Sequence, residues 1–325
     1  MTLTADVHTV LLTDFAWPDD SVERQIIEAA GFKLVSGPAK PSSAEEIEAL
    51  VRQHQPSAVL TCWAPVSAQA IASSERLQIV ARLGGGPDNI AVDAATRRGP
   101  WVTNVPDYCV EEVSDHAVGL AIAWTRGLIR FDRDVRNGSW NPASAKLRRL
   151  RNLRCGIVGY GRIGRRTAQK LLAFNTHVLA YDPRPPKEES QVEFVTLDQL
   201  LSQSDIVIVH APLMEGTHHL INRSNLANVK HGALLINVSR GGVVDTNALI
   251  EALQSGRLDG VGLDVLESEP DVPAGLRDHP GAMLTPHVAF SSDASLLELR
   301  RRASEEVVRV LKGEAPEQAR NKPNA

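Results

Sequence analysis

The sequence predicts an α/β protein that contains two doubly wound parallel sheets. From about Leu153 onward, short β-branched runs such as CGIVGY, HVLAYD, DIVIVHAP and ALLINVSR alternate with amphipathic helical segments. This repeated alternation is typical of a parallel sheet with crossover helices. A looser alternation of the same kind fills the first hundred residues, and a length of 325 residues suits about two domains.

The helices are predicted from apolar periodicity and from their capping residues. Ser43 with Glu46, and Thr196 with Gln199, have the spacing that opens a helix with a capping box. The segment VEEVSDHAVGLAIAWTRGLIRFDRDVR predicts one long helix with a broad apolar face from Val113 to Ile129. A last helix is predicted between Ser292 and Gly313, before the chain ends.

The charge balance argues against polyanionic partners. The 35 basic and 39 acidic residues are well mixed and give a net charge of −4, so neither nucleic acid nor a membrane is an expected partner. One basic stretch, Lys146 to Arg154, is better explained as an exposed connection than as a phosphate-binding patch.

Cysteine and histidine usage predicts neither a disulfide framework nor a metal site. Cys62, Cys109 and Cys155 are widely spaced, and His218 with His219 form no set of ligands with metal-like spacing. A reducing cytoplasm is therefore the expected location, since no export signal and no membrane-spanning run is evident.

The glycine-rich segment GIVGYGRIG predicts a dinucleotide site. Gly159, Gly161 and Gly164 have G-x-G-x-x-G spacing, follow a predicted strand and open a predicted helix, and Asp182 ends the next strand 21 residues after the middle glycine. In this Rossmann arrangement the helix amino terminus binds the pyrophosphate and the carboxylate binds the ribose hydroxyls. Asp182 would repel a 2′-phosphate and favours NAD, although Arg184 leaves NADP as an alternative.

Three polar residues lie near the predicted carboxyl ends of strands, where parallel sheets bind ligands. They are Arg240, Glu269 and His287. Reduction of a carbonyl by NADH needs a proton donor, a cation that binds the substrate, and a group that orients the donor. His287, Arg240 and Glu269 suit these roles together, although each alone could be a structural ion pair, an exposed loop acid or a core histidine.

Five motifs in order and spacing resemble the D-isomer-specific 2-hydroxyacid dehydrogenases: GYGRIG, YDP, INVSRGGVVD, GLDVLESEP and TPHVAF. The resemblance covers nearly the whole chain. It implies an NAD-dependent D-2-hydroxyacid dehydrogenase, or 2-keto acid reductase, that acts on the CH–OH group and forms a homodimer. The segments NVPDYCVEEVSDHA and TPHVAFSSDAS look most like the branch of C-terminal-binding proteins and phosphoglycerate-dehydrogenase-like enzymes, so an NAD(H)-sensing scaffold or corepressor-like binding protein with little turnover is the alternative.

The resemblance also implies the residues of the site. The substrate would contact Arg82, Leu83, Gly84, Gly85 and Gly86, whose backbone amides would receive its carboxylate. The cofactor would contact Gly85, Gly159, Gly161, Arg162, Ile163, Gly164, Asp182, His210, Ala211, Pro212, Thr217, Val238, Ser239, Arg240, Asp264 and His287. Which small 2-keto acid is reduced stays open among glyoxylate, hydroxypyruvate, 3-phosphohydroxypyruvate and larger acids.

The predicted fold class is therefore α/β, with two Rossmann-like doubly wound parallel-sheet domains and the cofactor domain inserted into the substrate domain. The substrate domain, flavodoxin-like, would contain residues 1–104 and 290–325. The NAD-binding Rossmann domain would contain residues 105–289.

Overall fold

A computed structural model describes residues 7–40, 42–187 and 191–323. The chain forms two compact units. The first contains residues 1–109 and 292–325, and the second contains residues 110–291. One α/β unit is thus inserted into another, as the predicted fold class requires.

The first unit is built on a five-stranded sheet. Its strands are β1 (Thr9–Leu12), β2 (Lys33–Ser36), β3 (Ala58–Thr61), β4 (Ile79–Arg82) and β5 (Trp101–Thr103). They lie in the order β2-β1-β3-β4-β5, and each is parallel to its neighbours. This is the flavodoxin-like order, in which the switch point lies between β1 and β3.

Four helices follow the first strands of this sheet: α1 (Ser21–Ala29), α2 (Ala44–His54), α3 (Ala68–Ala72) and α4 (Val92–Arg98). The capping box predicted for α2 is confirmed, because the Ser43 hydroxyl accepts from the Glu46 amide and the Glu46 carboxylate accepts from the Ser43 amide at 2.8 Å. The short elements β5, α3 and α4 were not predicted, since each is shorter than the window in which periodicity is measurable.

The second unit is built on a seven-stranded parallel sheet. Its strands are β6 (Arg154–Val158), β7 (His177–Tyr181), β8 (Glu193–Phe194), β9 (Ile206–Val209), β10 (Ala233–Asn237), β11 (Leu258–Leu263) and β12 (Ala282–Leu284). The order β12-β11-β10-β9-β6-β7-β8 reverses direction between β6 and β9. This is the nucleotide-binding order with one extra strand, so the expected ligand site lies outside the carboxyl ends of these strands.

The helices of the second unit are α5 (Val110–Arg126), α6 (Leu128–Arg136), α7 (Arg162–Ala173), α8 (Leu197–Gln203), α9 (Arg223–Leu226), α10 (Thr246–Gln254) and α11 (Ala274–Arg277). Strands β9 and β10 are buried along their whole length. Helices cover both faces of a parallel sheet, so its central strands are apolar throughout. The polar residues that reach the edge of this sheet are therefore those where the strands end.

The prediction of one long helix over residues 110–136 is wrong in one respect, because the segment forms two helices. Gly127 separates α5 from α6 in a left-handed conformation with φ 61°. A Cβ on Gly127 would also lie 2.9 Å from the Phe131 ring. Periodicity did not reveal this break, since apolar residues keep helical spacing across it.

The chain returns to the first unit as α12 (Asp293–Leu311), which Ser292 caps through the Ser295 amide at 2.9 Å. The Arg300 guanidinium of α12 lies 2.7 Å from the fully buried Glu23 carboxylate of α1. Because a buried carboxylate without a partner is strongly destabilising, this ion pair fixes the position of α12. Among the described residues, no helix has the length and apolar character that crossing a membrane requires.

The break at Gly127 can be tested with a matched pair of alanine variants. Gly127→Ala should lower the free energy of unfolding by about 1–2 kcal/mol, because a left-handed conformation disfavours a Cβ. Gly119→Ala, inside α5 with open space around its Cβ, should be neutral or stabilising by up to about 1 kcal/mol. Denaturant unfolding measures both, and a Gly127→Ala variant as stable as the parent would contradict the assigned conformation.

Candidate active site

The glycine loop lies between β6 and α7 and is shaped by close backbone packing. A Cβ on Gly159, which has φ 94°, would lie 2.6 Å from the Ala211 amide nitrogen, and a Cβ on Gly164 would lie 2.1 Å from the Gly159 carbonyl oxygen. No heavy atom lies within 4 Å of the position of a Cβ on Gly161. The outer two glycines are therefore needed for the close backbone packing of the loop. The middle glycine leaves space at the amino terminus of α7.

The amino terminus of α7 is suited to an anion. Gly161 is its N-cap residue and makes no side-chain capping bond, so the first-turn amides, which include those of Arg162 and Ile163, are available to a ligand. The residues present thus fit the pyrophosphate of a dinucleotide.

Asp182 follows β7 directly and binds the same loop. One carboxylate oxygen accepts from the Tyr160 amide at 2.9 Å, and the other accepts from the Arg184 amide at 2.9 Å. Asp182 therefore holds the glycine loop in place before any ligand binds. Its position beside the loop is the one that the predicted ribose-binding role requires.

His210 and Thr217 organise the segment after β9. The His210 Nε2 atom lies 2.9 Å from the Thr167 hydroxyl of α7, and desolvation by burial lowers the pKa of His210 to about 3, although the residue keeps some exposed surface. His210 is therefore neutral near pH 7. The Thr217 hydroxyl donates to the Pro212 carbonyl and accepts from the Met214 amide, which closes the loop that follows Ala211.

The arginine loop follows β10 and is held by the last residue of that strand. The Asn237 side chain accepts from the Ser239 amide at 3.1 Å and donates to the Arg240 carbonyl at 3.0 Å. Val238, next to this side chain, is buried. Asn237 was missed in the sequence, where a polar residue at the end of an apolar strand was the available signal.

Of the two glycines after Arg240, only Gly241 is required by its surroundings. A Cβ on Gly241 would lie 2.0 Å from the Leu266 carbonyl carbon and 2.3 Å from the Glu267 amide nitrogen, whereas a Cβ on Gly242 would make ordinary contacts with Leu213 at 3.4 Å. The loops after β10 and β11 thus approach each other at Gly241. Asp245 caps α10 through the Ala248 amide at 3.0 Å.

The loops after β11 and β12 bring Glu269 and His287 together. The Nδ1 atom of His287 lies 2.9 Å from one carboxylate oxygen of Glu269, and the other oxygen accepts from the Leu266 amide at 2.9 Å. Desolvation alone would raise the pKa of Glu269, but it is outweighed by the hydrogen bond and charge of His287, the Leu266 amide and the charge of Arg240, so the pKa of Glu269 is lowered. Glu269 is thus ionised near neutral pH and within electrostatic reach of Arg240.

Asp264 lies at the carboxyl end of β11 and is almost fully buried. Its carboxylate accepts from the Thr285 hydroxyl at 2.7 Å and from the amides of Val288 and Ala289 at 2.9 Å each. These bonds anchor the segment that carries His287. A contact of Asp264 with the cofactor stays a prediction.

The predicted substrate segment lies in the first unit, directly after β4. Arg82 is 6% exposed and donates to the Leu83 carbonyl, and within the described residues its Nε atom has no hydrogen-bond partner. A Cβ on Gly84 would lie 2.6 Å from the Arg82 guanidinium, so a side chain at this position would displace that group. Gly85 and Gly86 are the more exposed residues of the segment.

His218 and His219, interpreted as surface residues from the sequence, have a neighbour that the sequence did not reveal. His219 Nε2 lies 2.6 Å from Glu267, the two imidazole rings stack, and ligand atoms of the three residues lie within 4.8 Å of one another. The Glu267 carboxylate also accepts from the Thr246 amide at 2.8 Å. The His219–Glu267 hydrogen bond accounts for this cluster as a link between two loops.

Comparison with known proteins places the chain in a family. The model of the D-isomer specific 2-hydroxyacid dehydrogenase, NAD binding domain, matches residues 118–289. A hydroxypyruvate reductase from Thermotoga maritima is 37% identical over 75% of this chain and 79% of its own length. A glyoxylate reductase from Thermofilum pendens is 36% identical over 87% of this chain and 86% of its own length. The crystal structure of a D-lactate dehydrogenase from Aquifex aeolicus, complexed with NAD and lactic acid, matches with a TM-score of 0.87 at 27% identity and covers 97% of this chain and 100% of that chain.

The chain therefore belongs to the family of D-isomer specific 2-hydroxyacid dehydrogenases. These matches confirm the predicted family, the fold class, the NAD cofactor and the class of NAD-dependent oxidoreductases that act on CH–OH groups.

The glycine loop gives a prediction that separates packing from binding. Gly164→Ala should lower the free energy of unfolding by an amount near the upper end of the range of about 1–3 kcal/mol, because its methyl group would overlap a backbone carbonyl. Gly161→Ala should leave stability within about 0.5 kcal/mol yet weaken NADH binding, because its methyl group would occupy the space in front of α7. Denaturant unfolding and NADH fluorescence titration measure the two effects, and an unchanged NADH affinity in Gly161→Ala would contradict the placement of the pyrophosphate.

Proposed function

We propose that this protein is an NAD-dependent reductase of small 2-keto acids that forms the D-2-hydroxy acid, with glyoxylate and hydroxypyruvate as the first candidates. The observation that carries the proposal is the cluster of Arg240, Glu269 and His287 at the carboxyl ends of neighbouring strands. The names of the curated relatives support the choice of small substrates.

His287 is the proposed proton donor. Its Nδ1 atom faces Glu269 at 2.9 Å, so Nε2 is the ring nitrogen that would exchange a proton with the substrate oxygen. The Glu269 carboxylate binds Nδ1 and thereby fixes the plane of the ring. Glu269 is thereby proposed as the orienting residue and does not itself transfer the proton.

Arg240 is the proposed substrate-binding residue. Its guanidinium carries a permanent charge and can bind a carboxylate and polarise the neighbouring carbonyl oxygen. The Asn237 and Gly241 contacts fix the backbone on both sides of it. NADH, when bound along the glycine loop, Asp182 and the segments after β9 and β10, supplies the hydride.

The two units have separate proposed roles. Residues 110–291, most of which match the NAD-binding family model, would bind the dinucleotide. The segment 82–86 of the first unit would receive the substrate carboxylate through its backbone amides, since glycine permits close approach of an anion to the backbone. The exposed Gly85 and Gly86 would leave room for the substrate, while Arg82 and Gly84 shape the segment from beneath.

The proposed location is the cytoplasm. Cys62, Cys109 and Cys155 are all buried thiols, and burial raises the pKa of Cys62 and of Cys155 to about 12. Buried thiols of this kind suit a reducing compartment.

A homodimer is proposed on the basis of α6 and the segment after it. Most of the apolar face of α5 is used within its own unit, but none of the α6 residues is buried. Leu128, Ile129, Val135 and Trp140 are 55%, 49%, 48% and 83% exposed. A group of large apolar side chains this exposed is typical of a surface that a second copy covers.

The activity is tested by NADH oxidation with a panel of 2-keto acids, with NADPH in parallel. We expect turnover with glyoxylate or hydroxypyruvate and a preference for NADH. Arg240→Ala should lower turnover by about a hundred- to a thousandfold with an NADH dissociation constant close to that of the parent, whereas Arg223→Ala, which removes an exposed guanidinium paired with Glu251, should behave like the parent.

Two outcomes would count against this assignment. A parent protein that binds NADH and reduces none of the acids would favour the NAD(H)-sensing scaffold. An Arg240→Ala variant that reduces the acids at the parent rate would remove Arg240 from the mechanism.

The dimer is tested by placing a charge on α6. Ile129→Asp should shift the protein toward monomer in analytical ultracentrifugation, because a carboxylate in an apolar interface loses its hydration. Phe174→Asp, at another exposed apolar position that is 45% exposed, is the control and should leave the mass unchanged. A parent protein that sediments as a monomer would rule the dimer out.

A further inference from the structure

His287 has a backbone conformation that is unusual for a residue other than glycine. Its φ is 53°, in the left-handed region that glycine normally occupies. Such a conformation persists only where neighbouring groups hold it. For a residue that must present one ring nitrogen to a substrate, the groups that hold the backbone also determine where the ring points.

Asp264 holds His287 from both sides. Its backbone carbonyl accepts from the His287 amide at 2.8 Å, and its carboxylate accepts from the next two amides, those of Val288 and Ala289, at 2.9 Å each. Three consecutive amides thus bind one buried residue. The turn at His287 depends on the direction in which the Asp264 carboxylate points.

Thr285 determines that direction. This residue follows β12, and its hydroxyl donates to Oδ1 of Asp264 at 2.7 Å. The Thr285 amide donates to the Leu263 carbonyl at 3.0 Å, which fixes the threonine beside the end of β11. Asp264 and Thr285 therefore hold each other in place and, through the Asp264 carboxylate, hold the segment that carries His287.

His116 on α5 completes the chain of hydrogen bonds. Its Nε2 atom lies 3.0 Å from the Thr285 hydroxyl oxygen and 3.9 Å from Oδ1 of Asp264. A hydroxyl has one proton, and that of Thr285 is used toward Asp264, so His116 Nε2 must be the donor in its bond with Thr285. The direction of each hydrogen bond is therefore defined: His116 donates to Thr285, and Thr285 donates to Asp264.

We propose that Thr285 and His116 are positioning residues for the proposed reaction: they aim the Asp264 carboxylate that holds His287 in its left-handed conformation against Glu269. The inference rests on the proposed role of His287 as proton donor. Neither residue needs to touch the substrate. Glu269 and Arg240 are the charged groups near His287 in the catalytic cluster, while Asp264 holds its backbone from beneath.

The test uses Thr285→Val, which keeps the shape of the side chain and removes the hydroxyl, with Thr285→Ser as its matched control. We expect Thr285→Val to lower kcat for 2-keto acid reduction by about ten- to a hundredfold, the effect of a lost hydrogen bond to a charged group. The KM for the acid should stay within about threefold of the parent, because the substrate contacts proposed for Arg240 and residues 82–86 are unchanged. Thr285→Ser should stay close to the parent in both measurements.

His116 supplies a second, independent pair of variants. His116→Leu should show the same changes as Thr285→Val, whereas His116→Gln, whose amide can donate a hydrogen bond, should retain most of the activity. In the double variant Thr285→Val with His116→Leu, the loss should be no larger than in Thr285→Val alone, because both changes break one chain.

The proposal is overturned if Thr285→Val loses only thermal stability while kcat remains that of the parent. If Thr285→Val does not fold, a His116→Leu variant with the parent kcat overturns it equally. If the parent reduces no 2-keto acid, the proposed function fails, and the NMR chemical shifts of the His287 ring decide the positioning role. Ring shifts that change in Thr285→Val but not in Thr285→Ser support the role, and ring shifts equal to those of the parent in both variants refute it.

Discussion

The close approach of two loops at Gly241 is the contact on which the arrangement of Arg240 and Glu269 depends. The backbone at Gly241 packs against the peptide between Leu266 and Glu267 so tightly that no side chain fits between them. Arg240 precedes this contact by one residue, and Glu269 follows it by two. Strands β10 and β11 are adjacent and parallel, so their carboxyl ends lie side by side. The absence of a side chain at Gly241 lets the loops that follow these strands come into contact. The electrostatic effect of Arg240 on Glu269 is a consequence of this packing.

The same kind of contact recurs where strands of the second unit end. A side-chain oxygen at or just after the strand accepts from one or more backbone amides of a loop: Asn237 from its own loop, Asp182 from the glycine loop, and Asp264 from the segment that carries His287. Loops carry polar backbone groups that strands and helices do not satisfy, and these acceptors satisfy them. The site can therefore be rigid although it is made of loops.

The sequence was sufficient to predict those elements whose signals come from residues close together along the chain. The glycine loop, the acid after β7, the capping residues Ser43 and Thr196 and the apolar strands all depend on residues close together along the chain, and the structure contains each of them. Family resemblance then added the spacing of the arginine, glutamate and histidine.

Features set by distant partners, or by the conformation of one glycine, could not be predicted in this way. The break at Gly127 depends on a left-handed glycine that an uninterrupted apolar pattern conceals. The link from His219 to Glu267 joins residues 48 positions apart, and that from His116 to Thr285 joins residues 169 positions apart. Neither pair has a local signature, since a histidine on an amphipathic helix resembles any other part-buried polar residue. The requirement for glycine at 241 also depends on distant residues, because the backbone there packs against the peptide between Leu266 and Glu267.

Arg240 shows why these distant contacts matter for chemistry. An arginine proposed to bind an anionic substrate needs a fixed position. The structure fixes the position of Arg240 through the backbone: Asn237 binds the Arg240 carbonyl, and Gly241 is enclosed by the neighbouring loop. Glu269 is held in the same way, by the Leu266 amide and by His287. Groups that are held in place before a ligand binds need little reorganisation when it arrives.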